Sequence, residues 1–64
     1  MNTELINWLK AEIAEAQGLQ QEFNQIAKDT DYDDYENEIS RHEQDGVVIA
    51  LEFVLRHIEE QNNG

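Results

Sequence analysis

The chain has no cysteine and no proline, and only four basic residues among its sixty-four. Without cysteine there are no disulfides and zinc loses its commonest ligand, so two of the usual staples of a small domain are missing. Without proline, no helix is interrupted by the loss of an amide donor. Serine occurs once, as Ser40, and no glycine-rich phosphate loop or paired nucleophile and base is present. These absences leave no catalytic constellation, so the expectation is a non-enzyme without cofactor or metal.

Long apolar runs are missing too. The longest, Val47 to Leu51, is far shorter than the ~20 residues that span a bilayer. The opening MNTELINWLK lacks the basic segment and apolar core of a secretory signal. Fifteen acids against four bases give a net charge of −11, which repels nucleic acid and anionic membranes as direct partners. The expectation is a cytoplasmic protein whose natural company is another protein, above all one with a basic surface.

What the chain does have is an apolar helix. The stretch GVVIALEFVLRHI, Gly46 to Ile58, is the densest apolar segment. At ~100° per residue, Val47, Val48, Ala50, Leu51, Val54, Leu55 and Ile58 form one broad face. A second, narrower line joins Phe53 and Ile49 back through Gly46, His42, Ile39 and Tyr35. One neighbouring helix covers about one stripe, so two surfaces ask for more than one neighbour.

The first helix is read over residues 3 to 28, with Thr3 able to cap it and Glu4 at the positive end of its dipole. Leu5, Leu9, Ile13, Ala16, Leu19, Phe23 and Ile26 recur at steps of 4, 4, 3, 3, 4 and 3, a period suited to lengthwise packing on a neighbour. Ile6, Trp8 and Ala27 widen the stripe, and Gly18 weakens its middle by about 1 kcal/mol relative to alanine.

The segment DTDYDD, Asp29 to Asp34, places four acids in six residues and reads as the turn, because Asp and Thr bond locally to the backbone. The second helix is expected to begin near Asp31 or Asp33 and to run to about Gln61. The predicted fold is therefore all-α: an antiparallel two-helix hairpin, residues 3–28 and 33–61, within one domain spanning 1–64. The alternative is a three-helix bundle broken at Asp45-Gly46, since Asp caps helices and Gly breaks them. A chain this short buries only ~60% of its unfolded surface, so the hairpin is expected to dimerise into a four-helix bundle through Val47, Leu51, Val54 and Ile58.

The spacing of Asp29, Asp31 and Asp33 matches the first ligands of an EF-hand, but the sixth position is Asp34 rather than Gly and the twelfth is Ser40 rather than Glu. His42 and His57 lie fifteen residues apart and have no companion ligands. The stretch that exceeds background is Asp29 to Asp45, with eight acids against Arg41. Within it, Asp29, Asp31, Tyr32, Asp33, Asp34, Tyr35, Glu36 and Glu38 form a candidate partner-binding face. Carboxylates ~6 Å apart along a helix resemble the phosphates of one strand, and tyrosines can serve as anchors. The plainer reading is a charged surface that keeps a small oligomer dispersed.

The Tyr-rich acid cluster followed by RHEQDGVVIALEFVLRHIEE, over residues 32 to 60, resembles the small acidic helical accessory proteins of phages and prophages of Gram-positive bacteria. The resemblance lies in general character, and no motif carries a functional residue across. Many proteins of that group have no assigned activity, and some acidic ones inhibit host nucleic-acid enzymes, among them anti-restriction and anti-CRISPR proteins, so the resemblance admits such an inhibitor. Two functions follow: an interaction module working through an apolar helix face, or an acidic nucleic-acid mimic that blocks a DNA- or RNA-binding protein.

Overall fold

The computed structural model describes the backbone of residues 3–63 and the side chains of residues 3–61. Two helices, α1 (Thr3–Asp29) and α2 (Tyr35–Asn63), account for nearly all of it. They run antiparallel as a hairpin measuring 46 × 15 × 13 Å. The expected all-α hairpin is present. α2 is continuous through Asp45 and Gly46, which removes the three-helix alternative: with no proline nearby, one glycine is too weak a breaker.

Thr3 is the first residue of α1, not the cap ahead of it, and the residue before it lies outside those described. α2 starts at Tyr35, later than the expected Asp31 or Asp33. The turn explains the delay. The amide of Tyr32 donates to the Ala27 carbonyl (2.7 Å) and that of Asp31 to Lys28 (3.3 Å), the paired bonds that close a helix with a left-handed residue. Asp31 and Tyr32 have φ of 55° and 62°, so neither can belong to a right-handed helix. Asp34 then caps α2: its Oδ1 accepts from the Asn37 amide (3.1 Å), and its carbonyl accepts from the Glu38 amide (2.9 Å).

The seam between the helices differs from the stripe that hydrophobicity alone picks out. Leu9, Ile13, Ala16, Ala27 and Val48 are the buried apolar residues, whereas Leu5, Leu19 and Ile26 are 42–44% exposed. Ala27 is only 1% exposed, a methyl small enough to be wholly enclosed beside the turn. Near the turn the seam is polar. Asn37, 8% exposed, donates from Nδ2 to the Phe23 carbonyl (3.1 Å). Gln44 donates from Nε2 to the Ala16 carbonyl (2.9 Å), and Gln20 from Nε2 to Asp45 Oδ1 (2.8 Å). Toward the open end the contact becomes apolar, with Ile6, Leu51, Leu55 and Ile58 half-buried.

The enclosure of Ala27 sets up a stability test. Ala27→Leu has no room for its added atoms and should destabilise the fold by about 1–3 kcal/mol. That corresponds to a drop of at least about 4 °C in the thermal midpoint of a chain this size, read by circular dichroism. Ala14→Leu, at an exposed position of the same helix, should leave the midpoint nearly unchanged.

Candidate interaction surfaces

Three surfaces emerge from this arrangement: an acidic tip, an apolar flank shared by both helices, and an apolar line along the outer side of α2.

The tip gathers the predicted partner-binding residues. Asp29, Asp31, Tyr32, Asp33, Asp34, Tyr35 and Glu36 are all exposed there, and Glu38 is half-buried. Several of these acids serve the turn itself. Asp29 Oδ1 accepts from Gln25 Nε2 (3.0 Å), Asp34 is the cap of α2, and Glu38 pairs with Arg41 at 2.7 Å. The Thr30 hydroxyl donates to the Ile26 carbonyl (2.8 Å). Arg41 Cζ stands 5.6 Å from the centre of the Tyr32 ring, within the range of a cation–π contact. Its hydrogen bond to Glu38, outweighing the opposing effect of partial burial, raises the Arg41 pKa above its ordinary value, so the guanidinium stays charged at any working pH.

What remains free at the tip is Asp31, Asp33 and Glu36, with Tyr35 at 78% exposure. Among the described residues no group of three or more His, Asp or Glu side chains is placed to hold an ion. Asp29 ends one helix and Asp34 caps the next, so the carboxylates are spread around the turn rather than directed to one point. His42 and His57 are both exposed, and His57 Nε2 contacts Gln61 Nε2 at 3.2 Å.

The flank surface was only half visible in the sequence. On α2, the expected residues Val47, Leu51, Val54 and Ile58 share one side of the helix. Val47 and Val54 are 45% and 44% exposed, and Leu51 and Ile58 are half-buried. On α1, the residues left outside the seam, Leu5, Trp8, Leu19 and Ile26, share one side too, since Leu5, Leu19 and Ile26 are separated by multiples of seven. A shallow groove of about 200 Å³, lined by Ala16 and Leu19 from α1 and Gln44, Val47 and Leu51 from α2, shows that these two sides adjoin. Glu12 and Glu15 line it too, Glu12 on the same heptad line as Leu5, Leu19 and Ile26. The signal that could have revealed the α1 half is Ala27: once a small residue is placed in the seam, Leu19 and Ile26 must fall beside it.

No protein family, curated protein or solved structure matches the chain. Among the described residues no helix is long and apolar enough to cross a membrane.

The geometry of the turn makes its own prediction. Asp31 occupies a left-handed conformation that glycine adopts without strain, and it adds negative charge where the dipole of α1 is already negative. Asp31→Gly should therefore stabilise the hairpin by about 0.5–1 kcal/mol in chemical denaturation. Asp31→Asn, which removes the charge and keeps the side chain, should recover only part of that gain. A loss of stability in both variants would contradict the strain.

Proposed function

We propose that this chain is a non-enzymatic protein-interaction module that associates with a second copy through the flank surface. The observation that carries the reading is the placement of eight large apolar side chains on one side of a hairpin whose buried apolar core is only five residues. Surface and shape support it. The chain exposes 4909 Å², against about 4,250 Å² for a compact monomer of its mass. Its radius of gyration is 14.7 Å, against about 11 Å for a compact domain of this length. Two 46 Å hairpins laid flank to flank can cover on the order of 800 Å² per partner, the size of a specific interface, and give the four-helix bundle that a chain without disulfide or metal needs.

The acidic tip supports a second reading, that of a nucleic-acid mimic acting on a basic protein of the phage-encoded inhibitor type. Exposed Tyr35 beside free Asp33 and Glu36 is what favours it. Against it, part of the tip's charge is committed to capping and pairing inside the turn. The association itself is the stronger reading.

Salt separates the two. Copies that each carry −11 repel, so self-association through an apolar face should strengthen as salt rises, whereas capture of a basic partner should weaken. In sedimentation equilibrium at micromolar concentration the wild type is expected as a dimer, with a thermal midpoint that climbs with protein concentration. Val54→Glu places a carboxylate where solvent still reaches it in the single hairpin, so it should yield single chains with a lower, concentration-independent midpoint. A wild type that stays monomeric, with a midpoint indifferent to concentration, would sink the proposal. For the mimic, Asp33→Asn combined with Glu36→Gln removes free charge without touching the cap or the Arg41 pair. It should abolish displacement of DNA or RNA from a basic partner if the tip is the working surface.

A further inference from the structure

α2 carries another apolar line, which neither α1 nor the flank surface covers. Tyr35, Ile39, His42, Gly46, Ile49 and Phe53 succeed one another at steps of 4, 3, 4, 3 and 4, the spacing of the a and d positions of a heptad repeat. At 100° per residue their mean direction lies about 150° around the helix from Asn37, Val48 and Leu55, which turn toward α1. The exposures agree: Ile49 and Phe53 are each 68% exposed, and Tyr35 is 78% exposed. Flank-to-flank pairing uses Val47, Leu51, Val54 and Ile58 and leaves this line in water.

The residues bordering the line indicate what can cover it. With Ile39, Gly46 and Phe53 at a and Tyr35, His42 and Ile49 at d, the e positions are Glu36, Glu43 and Ala50. The g positions are Glu38, Asp45 and Glu52. Five of these six are acidic, and e and g are the positions that choose the partner of a coiled coil. Antiparallel, a second copy laid on the line would set g against g and e against e, mostly acid against acid; parallel, it would set Glu38 against Glu43 and bring no Lys or Arg across the seam, so self-pairing gains no complementary charge in either direction. A helix with Lys or Arg at its own e and g positions meets complementary charge along the full length. Arg41 already neutralises Glu38, and Asp45 already accepts from Gln20, leaving Glu36, Glu43 and Glu52 as the free carboxylates.

Gly46 adds an observation of another kind. It lies mid-helix, where glycine weakens the helix relative to alanine, yet a Cβ built there would meet nothing within 4 Å and its φ is not positive. The hairpin itself does not need a glycine here. Gly18 is equally open, but it is on the outer side of α1 between Ala14 and Gln21, away from any apolar line. Gly46 stands at the centre of one, where the missing side chain leaves open space beside the turns bearing His42 and Ile49, room that a large apolar side chain of a partner could take.

We propose that the outer line of α2, Tyr35 to Phe53, is one half of a heterotypic coiled-coil seam whose other half is an amphipathic, Lys/Arg-bordered helix of another protein. This rests on the reading of the chain as an interaction module but not on the flank surface, so the two can fail separately.

The test uses the full chain and three synthetic helical peptides of three heptads: one with Leu at a and d and Lys at e and g, one with Glu in place of Lys, and a scrambled peptide of the same basic composition. In calorimetry the basic peptide should bind once per chain with micromolar affinity. The acidic and scrambled peptides should bind at least about tenfold more weakly. Ile49→Ser with Phe53→Ser, both at positions exposed in the hairpin, should weaken the basic peptide by at least about tenfold while helicity is kept. Val54→Ser, on the flank, should leave peptide binding unchanged. Equal binding of the scrambled peptide would reduce the effect to bulk charge attraction and overturn the proposal, as would undiminished binding by the Ile49, Phe53 variant. If that variant instead converts a dimer to monomer while Val54→Glu does not, the line belongs to self-association and the proposal falls. A loss of wild-type dimer with peptide binding intact would remove the flank reading alone.

Discussion

The two carboxamide bonds from α2 to the main chain of α1 fix where one helix lies along the other. Asn37 to Phe23 and Gln44 to Ala16 are seven residues apart on both strands of the hairpin, so they form two rungs of one ladder. Each accepting carbonyl lies inside α1 and uses a lone pair left over from its own helical bond. Sliding α2 by a residue or a turn would bury Asn37 without a partner, a penalty of about 1–3 kcal/mol that a purely apolar seam would not impose. The next rung, seven residues further on, is apolar, at the level of Leu9 and Leu51. The hairpin thus takes its register from the polar half near the turn and most of its adhesion from the apolar half at the open end.

This division explains how much of the fold could be read in advance. The two helices, the turn and the continuity of α2 follow from the period of apolar residues and from the lack of proline. The seam follows only in part: Leu9, Ile13, Ala16 and Val48 stand in the apolar stripes and are buried, but a search for hydrophobicity passes over the polar and small residues that complete it. Asn37 and Gln44 look like surface, and Ala27 looks like a filler beside Ile26. Their value lies in short reach and in hydrogen bonds to backbone, which have no apolar signature. The start of α2 was blurred for a related reason: Asp31, Asp33 and Asp34 can all cap a helix, and only the left-handed backbone at Asp31 and Tyr32 reserves that role for Asp34. Of the candidate sites, the α2 half of the flank surface was legible. The α1 half became visible only once Ala27 had taken the seam.

The apolar residues that the seam rejects are sorted rather than scattered. Those of α1 fall on one flank beside Val47 and Val54, with Glu12 and Glu15 among the residues lining the groove between them. Those on the outside of α2 are fenced by carboxylates on both borders. The two apolar surfaces of one small chain therefore differ in their borders: acids flank the outer line of α2 on both sides, at five of its six e and g positions. On the proposed reading, the flank would hold two copies together and the outer line would offer each a separate place for a basic helix.

The turn also bears on how the chain reaches this structure. The contacts of shortest sequence separation, such as Phe23 with Asn37 across fourteen residues, lie beside it, and loop closure favours those contacts as the first to form. That is also where the acids crowd and where two residues without glycine's freedom must turn left-handed. The open apolar end brings together residues far apart in the chain and closes last. If the turn forms first, screening of its acids is expected to act on the climb to the folding barrier, and the apolar grip at the far end on the escape from the folded side. The expected consequence is a division of labour: ionic strength acts chiefly on the rate at which this hairpin closes, and Leu9, Ile13 and Leu51 on how long it stays shut.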